Sequence, residues 1–383
     1  MGRIIRDMEK LDLNYVPGEL PHREGELKSL QELYGNVLAN GRPQHALIAG
    51  KIGSGKTVLA RRFFDGLTDQ ARKNGIQVDL SFVNCKGSFT ATEVMKDVLT
   101  NLAVQPGGKQ PISSMARMLK DFIGKRNSVL FVVLDEIHVP LKHDNSRADH
   151  LIYCLARINE ALKGPQVSVS LCLISSRDVL SMLEGSTRGI FNRHNIVNLE
   201  KYGGNALKDI LVQRVEMAFH PGAASEECLD LIADIAAGSG DARYAIEMLY
   251  MAGMAAECGN SEIVMPEHIR MAKAEIQPHI TNKMLEELGD HERLLLLGIA
   301  RMLKKAEYVE FGGALTAYKV ECEGRDLNPK KKTQVRTLLD GLHRIGLVNV
   351  RKAGRGRTAR MLVAIEDAPV ERIIESLERG AHP

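Results

Sequence analysis

Gly50-Lys-Ile-Gly-Ser-Gly-Lys-Thr57 fills every position of the pattern G-x-x-x-x-G-K-[ST]. Gly50, Gly53 and Gly55 let the main chain wrap closely enough for its N–H groups to face an anion. Lys56 then reaches the β- and γ-phosphates of a nucleotide, and the Thr57 hydroxyl can ligate Mg²⁺. The flanks fit the motif. His45-Ala-Leu-Ile-Ala-Gly50 reads as a strand, and Lys56 to Leu67 has helical spacing. The loop therefore joins a strand to a helix N-terminus, where the dipole favours phosphate. A glycine-rich turn matched by chance has no reason to carry both neighbours.

Working outward, the chain from about Leu20 to Tyr202 alternates short apolar runs with helical stretches, the grammar of a parallel α/β sheet. The expected strands are His45–Ala49, Val78–Asn84, Val129–Leu134, Val167–Ile174 and Ile196–Leu199. The expected helices are Arg23–Ala39, Lys56–Lys73, Ala91–Leu102, Ser113–Gly124, His150–Leu162 and Asp178–Leu183. The third strand ends in Asp135-Glu136, 79 positions after Lys56. Asp135 is suited to hold Mg²⁺ through water, and Glu136 to orient the water that attacks the γ-phosphate in line. A phosphate loop followed by Asp-Glu on a later strand means an NTPase rather than a kinase.

From Asn205 to about Ile276 the apolar positions recur at helical spacing only, which predicts a small helical lid. From about Lys283 the pattern changes again. His291–Lys304, Ala314–Glu323 and Thr333–Ile345 read as helices, and Leu347–Val350 and Met361–Ile365 as strands around Ala353-Gly-Arg-Gly-Arg357. Three helices and a basic glycine-rich hairpin are the layout of a winged helix, with the third helix suited to the major groove and the wing to the backbone or minor groove. The net charge of +3 conceals a polarised distribution. Arg325 to Arg360 holds eleven Lys or Arg against two Asp, so this stretch is +9 and the remainder −6. Such a segment is a footprint for a polyanion. It lacks the wide apolar face that would suit a membrane surface.

At 383 residues, 44% hydrophobic and 26% charged, the composition is that of a globular protein of two or three domains. No run approaches the ~18 apolar residues of a membrane span, and the charged N-terminus has no signal-peptide core. Cys85, Cys154, Cys172, Cys228, Cys258 and Cys322 are scattered without a C-x-x-C pair. This argues against a zinc knuckle or a disulfide framework and for a reducing cytosol. A cytoplasmic, nucleoid-associated protein with no membrane partner is expected. His138, His143 and His150 do not share a helical face with a carboxylate, so packed or solvated histidines are expected there rather than a metal site.

Residues 15 to 380 resemble the archaeal origin-recognition/cell-division-control initiators, AAA+ ATPases related to eukaryotic origin recognition complex subunit one and the licensing ATPase. The resemblance is carried by Tyr15-Val-Pro-Gly-Glu-Leu-Pro-His-Arg-Glu24, Leu134-Asp-Glu-Ile137, Ile174-Ser-Ser-Arg-Asp178 and Gly240-Asp-Ala-Arg243. Glu292-Arg-Leu-Leu-Leu-Leu-Gly-Ile-Ala-Arg301 and Gly346-Leu-Val-Asn-Val350 extend it. It implies an α/β AAA+ core over 1–203, an α-helical lid over 204–282 and a winged-helix domain over 283–383. It also implies ATP or ADP with Mg²⁺ as ligands. Pro21, His22 and Arg23 would lie against the adenine. Ile52, Gly53, Ser54, Gly55, Lys56, Thr57 and Val58 would surround the phosphates, with Mg²⁺ on Thr57 and Asp135. Ser176 falls where the family most often has Asn as a polar sensor. A serine reaches less far, so slow hydrolysis is expected. Arg243 would reach from the lid to the γ-phosphate, and Arg188, or Arg193 a few residues on, would be offered to a neighbouring subunit.

For DNA, the residues expected at the duplex are Lys330, Lys331, Lys332, Thr333, Gln334 and Arg336 at the third helix, and Arg355 and Arg357 in the wing. The resemblance adds an insertion between about Lys86 and Ile112, with Lys86, Thr90 and Lys109. It implies double-stranded origin DNA, the replicative helicase and paralogous initiator subunits as partners, and an ATP/ADP switch as the activity. An ATP-dependent winged-helix transcriptional regulator is the alternative, sharing all of this chemistry. A fast hexameric motor ranks below both.

Overall fold

Five runs, His45–Gly50 (β1), Val78–Asn84 (β2), Val129–Asp135 (β3), Ser168–Ser175 (β4) and Ile196–Leu199 (β5), pair in parallel in the order β2-β3-β4-β1-β5. The coordinates are a computed structural model. They describe every residue except 1–2, 109, 163, 165–166, 192, 277–284, 286–287, 305, 307, 326, 354–359, 366–369 and 380–383. Two compact units result, Met1–Ala272 and Lys273–Pro383.

In the first unit the strands are continuous apolar runs because both sheet faces are covered. All seven residues of β3 and all eight of β4 are buried. Strand alternation divides their side chains between two cores. Val129, Phe131 and Val133 join Glu24–Asn40 (α1) and Lys56–Lys73 (α2) through Leu30, Tyr34, Phe63 and Phe64. Leu130, Val132 and Leu134 point the other way, toward Ala91–Asn101 (α3), Ile112–Arg126 (α4) and, beyond His138–His143 (α5), Asn145–Arg157 (α6). The Tyr34 hydroxyl donates to the Leu171 carbonyl at 3.0 Å, so even this fully buried ring keeps its polar atom paired.

Two expected helices differ. The one read at His150–Leu162 starts at Asn145 instead, because Asp144 accepts the Arg147 amide as an N-cap, and it ends at Arg157. Asp178–Leu183 is a series of turns rather than a helix. The Asp178 carboxylate accepts the Ser181 amide, a local bond that competes with helix formation. The helical turn follows it, at Gly185–Arg188 (α7).

The lid comprises Gly204–Ala218 (α8), Glu226–Ala237 (α9), Ala242–Cys258 (α10) and Pro266–Glu275 (α11). Ile4 and Ile5 are buried against it, and their amides donate to Glu257 Oε1 at 3.2 and 2.9 Å. Arg214 of α8 donates to the carbonyls of Lys10 and Tyr15. Residues 4 to 15 are thus tied to lid helices.

The second unit is built on Asp290–Leu303 (α12), whose Leu294–Leu297, Ile299 and Ala300 are buried. Gly298 lets it approach Phe311–Glu323 (α13): a Cβ there would lie 3.0 Å from the Ala317 backbone. Lys332–Arg344 (α14) buries Val335, Leu339 and Leu342, one apolar stripe at helical spacing. Val309–Glu310 (β6), Asn349–Ala353 (β7) and Arg360–Ala364 (β8) form an antiparallel sheet in the order β6-β8-β7, and Val370–Arg379 (α15) packs on α12. This is a winged-helix arrangement. The two-residue β6 and α15 are additions to the sequence reading.

Candidate nucleotide site and DNA-facing helix

The parallel sheet brings the phosphate loop after β1, Asp135 at the end of β3 and Ser176 after β4 to one edge, since β4 lies between β1 and β3. Ligands of open α/β sheets bind at this carboxyl edge. Gly53 and Gly55 have φ of +75° and +86°, values a side-chain-bearing residue rarely adopts. Gly53 is also sterically required. A Cβ there would lie 2.6 Å from Asp241 Oδ2 and nearer still to the rest of that carboxylate. Asp241 caps α10 by accepting the amides of Arg243 at 2.8 Å and Tyr244 at 3.3 Å, and the Ala242 amide donates to the Gly53 carbonyl at 3.2 Å. The lid is therefore seated directly on the phosphate loop.

Lys56 is 5% exposed and donates to the Lys51 carbonyl at 2.8 Å. Burial pushes its pKa down to about 8, against the opposing pull of Glu136 and Asp135. Its charge is held ready for an anion at some cost to the free protein. The Thr57 hydroxyl donates to Asp135 Oδ2 at 2.7 Å. Asp135 is pushed up by burial, with the Thr57 bond acting the other way, and its Oδ1 is buried without a hydrogen-bond partner. That orphaned oxygen beside a hydroxyl fits Mg²⁺, a hard cation that takes oxygen ligands and relies on substrate phosphates and waters for the rest. Among the described residues no cluster of three or more His, Cys, Asp or Glu forms an all-protein metal cage. His143 and His150 are exposed.

Glu136 sits in the left-handed region with φ +56° and is 6% exposed. Its Oε2 accepts the Ser176 hydroxyl at 3.2 Å and faces His138 Nδ1 at 3.2 Å, while Lys86 Nζ stands 3.9 Å from Oε1. Burial lowers the His138 pKa, so the ring is neutral at pH 7. Lys86, expected at DNA, thus stands at the rim of the nucleotide site. Thr90 accepts the Glu93 amide in a capping box that starts α3.

Arg23, expected against the adenine, has every N–H committed within the protein. Nε donates to the Tyr202 hydroxyl, Nη1 to Glu26 and the His22 carbonyl, and Nη2 to the carbonyls of Ser54 and Glu200. It also stacks 4.0 Å above the Tyr202 ring. Arg23 fastens the lead-in peptide to the phosphate loop. His22, with φ +61°, reaches Asp209 of α8 at 2.6 Å, and Pro21 beside it is half-buried. Ile52 and Val58 are partly exposed on either side of the loop, and Ser54 is buried with its hydroxyl on the Lys51 carbonyl. Arg243, half-buried in the first turn of α10, lies within electrostatic reach of Lys56. Arg188 is exposed at the end of α7 and donates to the Leu183 carbonyl at 2.8 Å. Asp149 holds that helix by accepting the Glu184 amide and the Thr187 hydroxyl. Sequence reasoning missed Tyr202 and the seat of Asp241 against Gly53. Tyr202 has only its place directly after β5 to signal it.

In the second unit Lys330, Lys331, Lys332, Thr333, Gln334 and Arg336 are all exposed, as expected for α14 with its apolar stripe turned inward. Gln334 uses Oε1 to accept the Lys331 amide at 3.2 Å, which leaves its amide N–H groups to face outward. The Lys330 amide donates to the Tyr318 hydroxyl and anchors the lead-in to the helix. Arg360 pairs with Glu310 at 2.8 Å. Arg355, Arg357 and Lys109 lie outside the described residues.

Three family models match in sequence along the chain: an AAA domain over residues 39–183, a Cdc6 AAA+ ATPase-type lid domain over 208–274 and a CDC6 C-terminal winged helix domain over 283–372. An ORC1-type DNA replication protein of Pyrococcus horikoshii is 28% identical over 94% of this chain and 86% of its own length. ORC1-type DNA replication protein 2 of Saccharolobus solfataricus is 29% identical over 97% and 92%. Among solved structures, the Aeropyrum pernix ORC1 protein in complex with DNA is 29% identical with a TM-score of 0.72, over 99% of this chain and 98% of that one. The Aeropyrum pernix ORC2 protein in ADPNP–ADP complexes is 26% identical with a TM-score of 0.70, over 98% of each. With a parallel AAA sheet, a Cdc6-type lid seated on the phosphate loop and a winged helix in that order, the chain belongs to the ORC1/Cdc6 family of AAA+ ATPases.

Proposed function

We propose that this protein is an ATP-binding DNA replication initiator that recognises duplex origin DNA and uses its nucleotide as a switch for recruiting the replicative helicase. The observation that carries the reading is the lid latch. Asp241 fills the space left by the missing Gly53 side chain, so whatever occupies the phosphate loop bears on the lid that sits over it. Thr57 and Asp135, already joined by a hydrogen bond, would hold Mg²⁺, Lys56 and Arg243 would contact the phosphates, and Glu136, which accepts the Ser176 hydroxyl, would orient the water. Pro21 and His22 close the base pocket while Arg23 braces the loop. A switch gains nothing from rapid turnover, and slow hydrolysis is expected. Lys331, Lys332, Thr333, Gln334 and Arg336 meet the duplex, with base edges nearest the helix start. The DNA complex of the Aeropyrum pernix ORC1 protein supports DNA as the partner. Paralogous initiator subunits are proposed as further partners, with Arg188 offered across that contact.

Genome-wide crosslinking in the cells that make the protein, beside a Lys331→Ala/Arg336→Ala variant, tests the reading. Sharp peaks at replication start zones that vanish in the variant are expected. Peaks confined to promoters far from any start zone would overturn it in favour of a transcriptional regulator.

A further inference from the structure

The lead-in peptide is held from two sides. On the core side Arg62 of α2 donates to the Gly18 carbonyl at 2.6 Å, and Arg23 donates to the Ser54 carbonyl of the phosphate loop at 3.0 Å. On the lid side every grip comes from one stretch of α8. Asp209 faces His22 at 2.6 Å, and Gln213 donates to the Glu19 carbonyl at 3.1 Å. Arg214 donates to the carbonyls of Tyr15 at 3.3 Å and Lys10 at 2.6 Å. Residues 209 and 213 are one helical turn apart, so the peptide runs against the direction of the helix. Pro21 and His22, expected against the adenine, stand at the end of this run.

Arg214 is the costly grip. It is 4% exposed, and its Nε is buried without a hydrogen-bond partner. Among the described residues its hydrogen-bond acceptors are the two main-chain carbonyls, and no carboxylate pairs with it. Its guanidinium also lies 5.0 Å from the centre of the Tyr15 ring. An apolar side chain of similar volume would fill the space without burying a charge. What it would not do is fix Tyr15 and Lys10 together to α8, which a planar fork of donors does. Upstream, Ile4 and Ile5 are buried and their amides bond to Glu257, so the chain before Tyr15 is anchored to the lid as well.

We infer that Arg214 is a positioning residue for the nucleotide base: by fixing Tyr15 to α8 it sets where the lead-in runs, and so where Pro21 and His22 stand against the adenine. It acts through the lead-in and does not touch the nucleotide. The inference rests on the reading of Pro21 and His22 as the wall of the base pocket.

The test compares two ligands of the full-length protein with Mg²⁺, ATP and inorganic tripolyphosphate, which offers phosphates and no base. Affinities for both and the melting temperature are measured for Arg214→Met, Arg214→Lys, Gln213→Ala and His22→Ala/Pro21→Gly. Loss of hydrogen bonds from a charged group is expected to weaken ATP by about tenfold in Arg214→Met, with tripolyphosphate changed less than about twofold. Lysine reaches one carbonyl rather than two and is expected to recover part of the ATP loss. Gln213→Ala removes a single neutral, partly exposed bond, a change the fold tolerates, and is expected to show the same selectivity at about threefold. ATP affinity unchanged in both Arg214→Met and Gln213→Ala, or ATP and tripolyphosphate weakened alike, would overturn the inference. Wild-type protein that binds ATP no more tightly than tripolyphosphate, or an ATP advantage untouched by His22→Ala/Pro21→Gly, sinks the reading of the base pocket itself. An advantage lost in that variant but kept in Arg214→Met and Gln213→Ala sinks the positioning role alone.

Discussion

Replacing Gly53 with alanine tests the coupling of phosphate loop and lid in the absence of any nucleotide. The new Cβ would overlap the Asp241 carboxylate, and φ of +75° is unfavourable for alanine by about 1–2 kcal/mol. Expelling Asp241 removes an N-cap worth about 1 kcal/mol. It also disturbs the Ala242 amide bond to the Gly53 carbonyl, about 1 kcal/mol more. The total for Gly53→Ala is therefore about 3–4 kcal/mol. Asp241→Ala alone loses only the cap, about 1 kcal/mol. In the double variant the overlap has gone, leaving the strain and the missing cap, about 2–3 kcal/mol. The strain cancels in the cycle, which thus predicts a coupling of about 2 kcal/mol, well outside the additivity of independent sites. Urea unfolding followed by hydrogen exchange at β3 amides gives the global energies, and exchange at Arg243 and Tyr244 reports the cap itself. Strict additivity, or unchanged protection at those two amides in Gly53→Ala, would refute the seat of the lid described above.

Lys56 supplies a pH signature. Its folded pKa of about 8 lies below the unfolded value, so between pH 8 and about 10.4 the unfolded chain binds more protons and nucleotide-free stability rises with pH in that window. ATP restores the charge, so binding above pH 8 should take up a proton. Calorimetry in two buffers of different ionisation enthalpy measures it, and Lys56→Met should abolish it. Asp149→Ala leaves the Glu184 amide and Thr187 hydroxyl without their acceptor, an expected loss of about 2 kcal/mol and about 5 °C in melting temperature. Calorimetric scans check that figure. Lys331→Ala/Lys332→Ala/Arg336→Ala should weaken binding to any duplex and flatten the salt dependence of log K by about 2–3. An unchanged slope in a titration over salt would remove α14 from the DNA surface.

The phosphate loop, all five parallel strands and the three helices of the second unit were legible because each has a signal confined to a few consecutive residues. Short continuous apolar runs such as Val129–Leu134, rich in β-branched residues, read as strands buried on both faces. Legibility stopped where the deciding partner is distant in sequence. The late helix α7 answers to Asp149, some thirty-five residues earlier. No local pattern reports that contact. The start of α6 was missed for the opposite reason: its cap at Asp144 is local but sits in a polar stretch that reads as loop. Arg23 shows a third limit. Its motif marks it as belonging to the pocket, yet five committed N–H bonds make it a brace.

The same distinction separates two meanings of the glycines in the phosphate loop. Read as a motif, Gly53 and Gly55 exist so that amides can face a phosphate. In the fold each absent Cβ is also a place for something else: the Asp241 carboxylate at Gly53 and, 2.8 Å from where a Cβ of Gly55 would be, the Tyr202 hydroxyl. Asp241 begins the lid helix that carries Arg243, and Tyr202 receives Arg23 from the lead-in peptide. The loop is thus contacted on its protein side by both elements expected to sense the nucleotide on its other side. Any displacement of the loop would reach lid and lead-in through these contacts without passing through the sheet. The pattern G-x-x-x-x-G-K-[ST] records a phosphate site, and the partners of its glycines tie that site to the lid and the lead-in peptide.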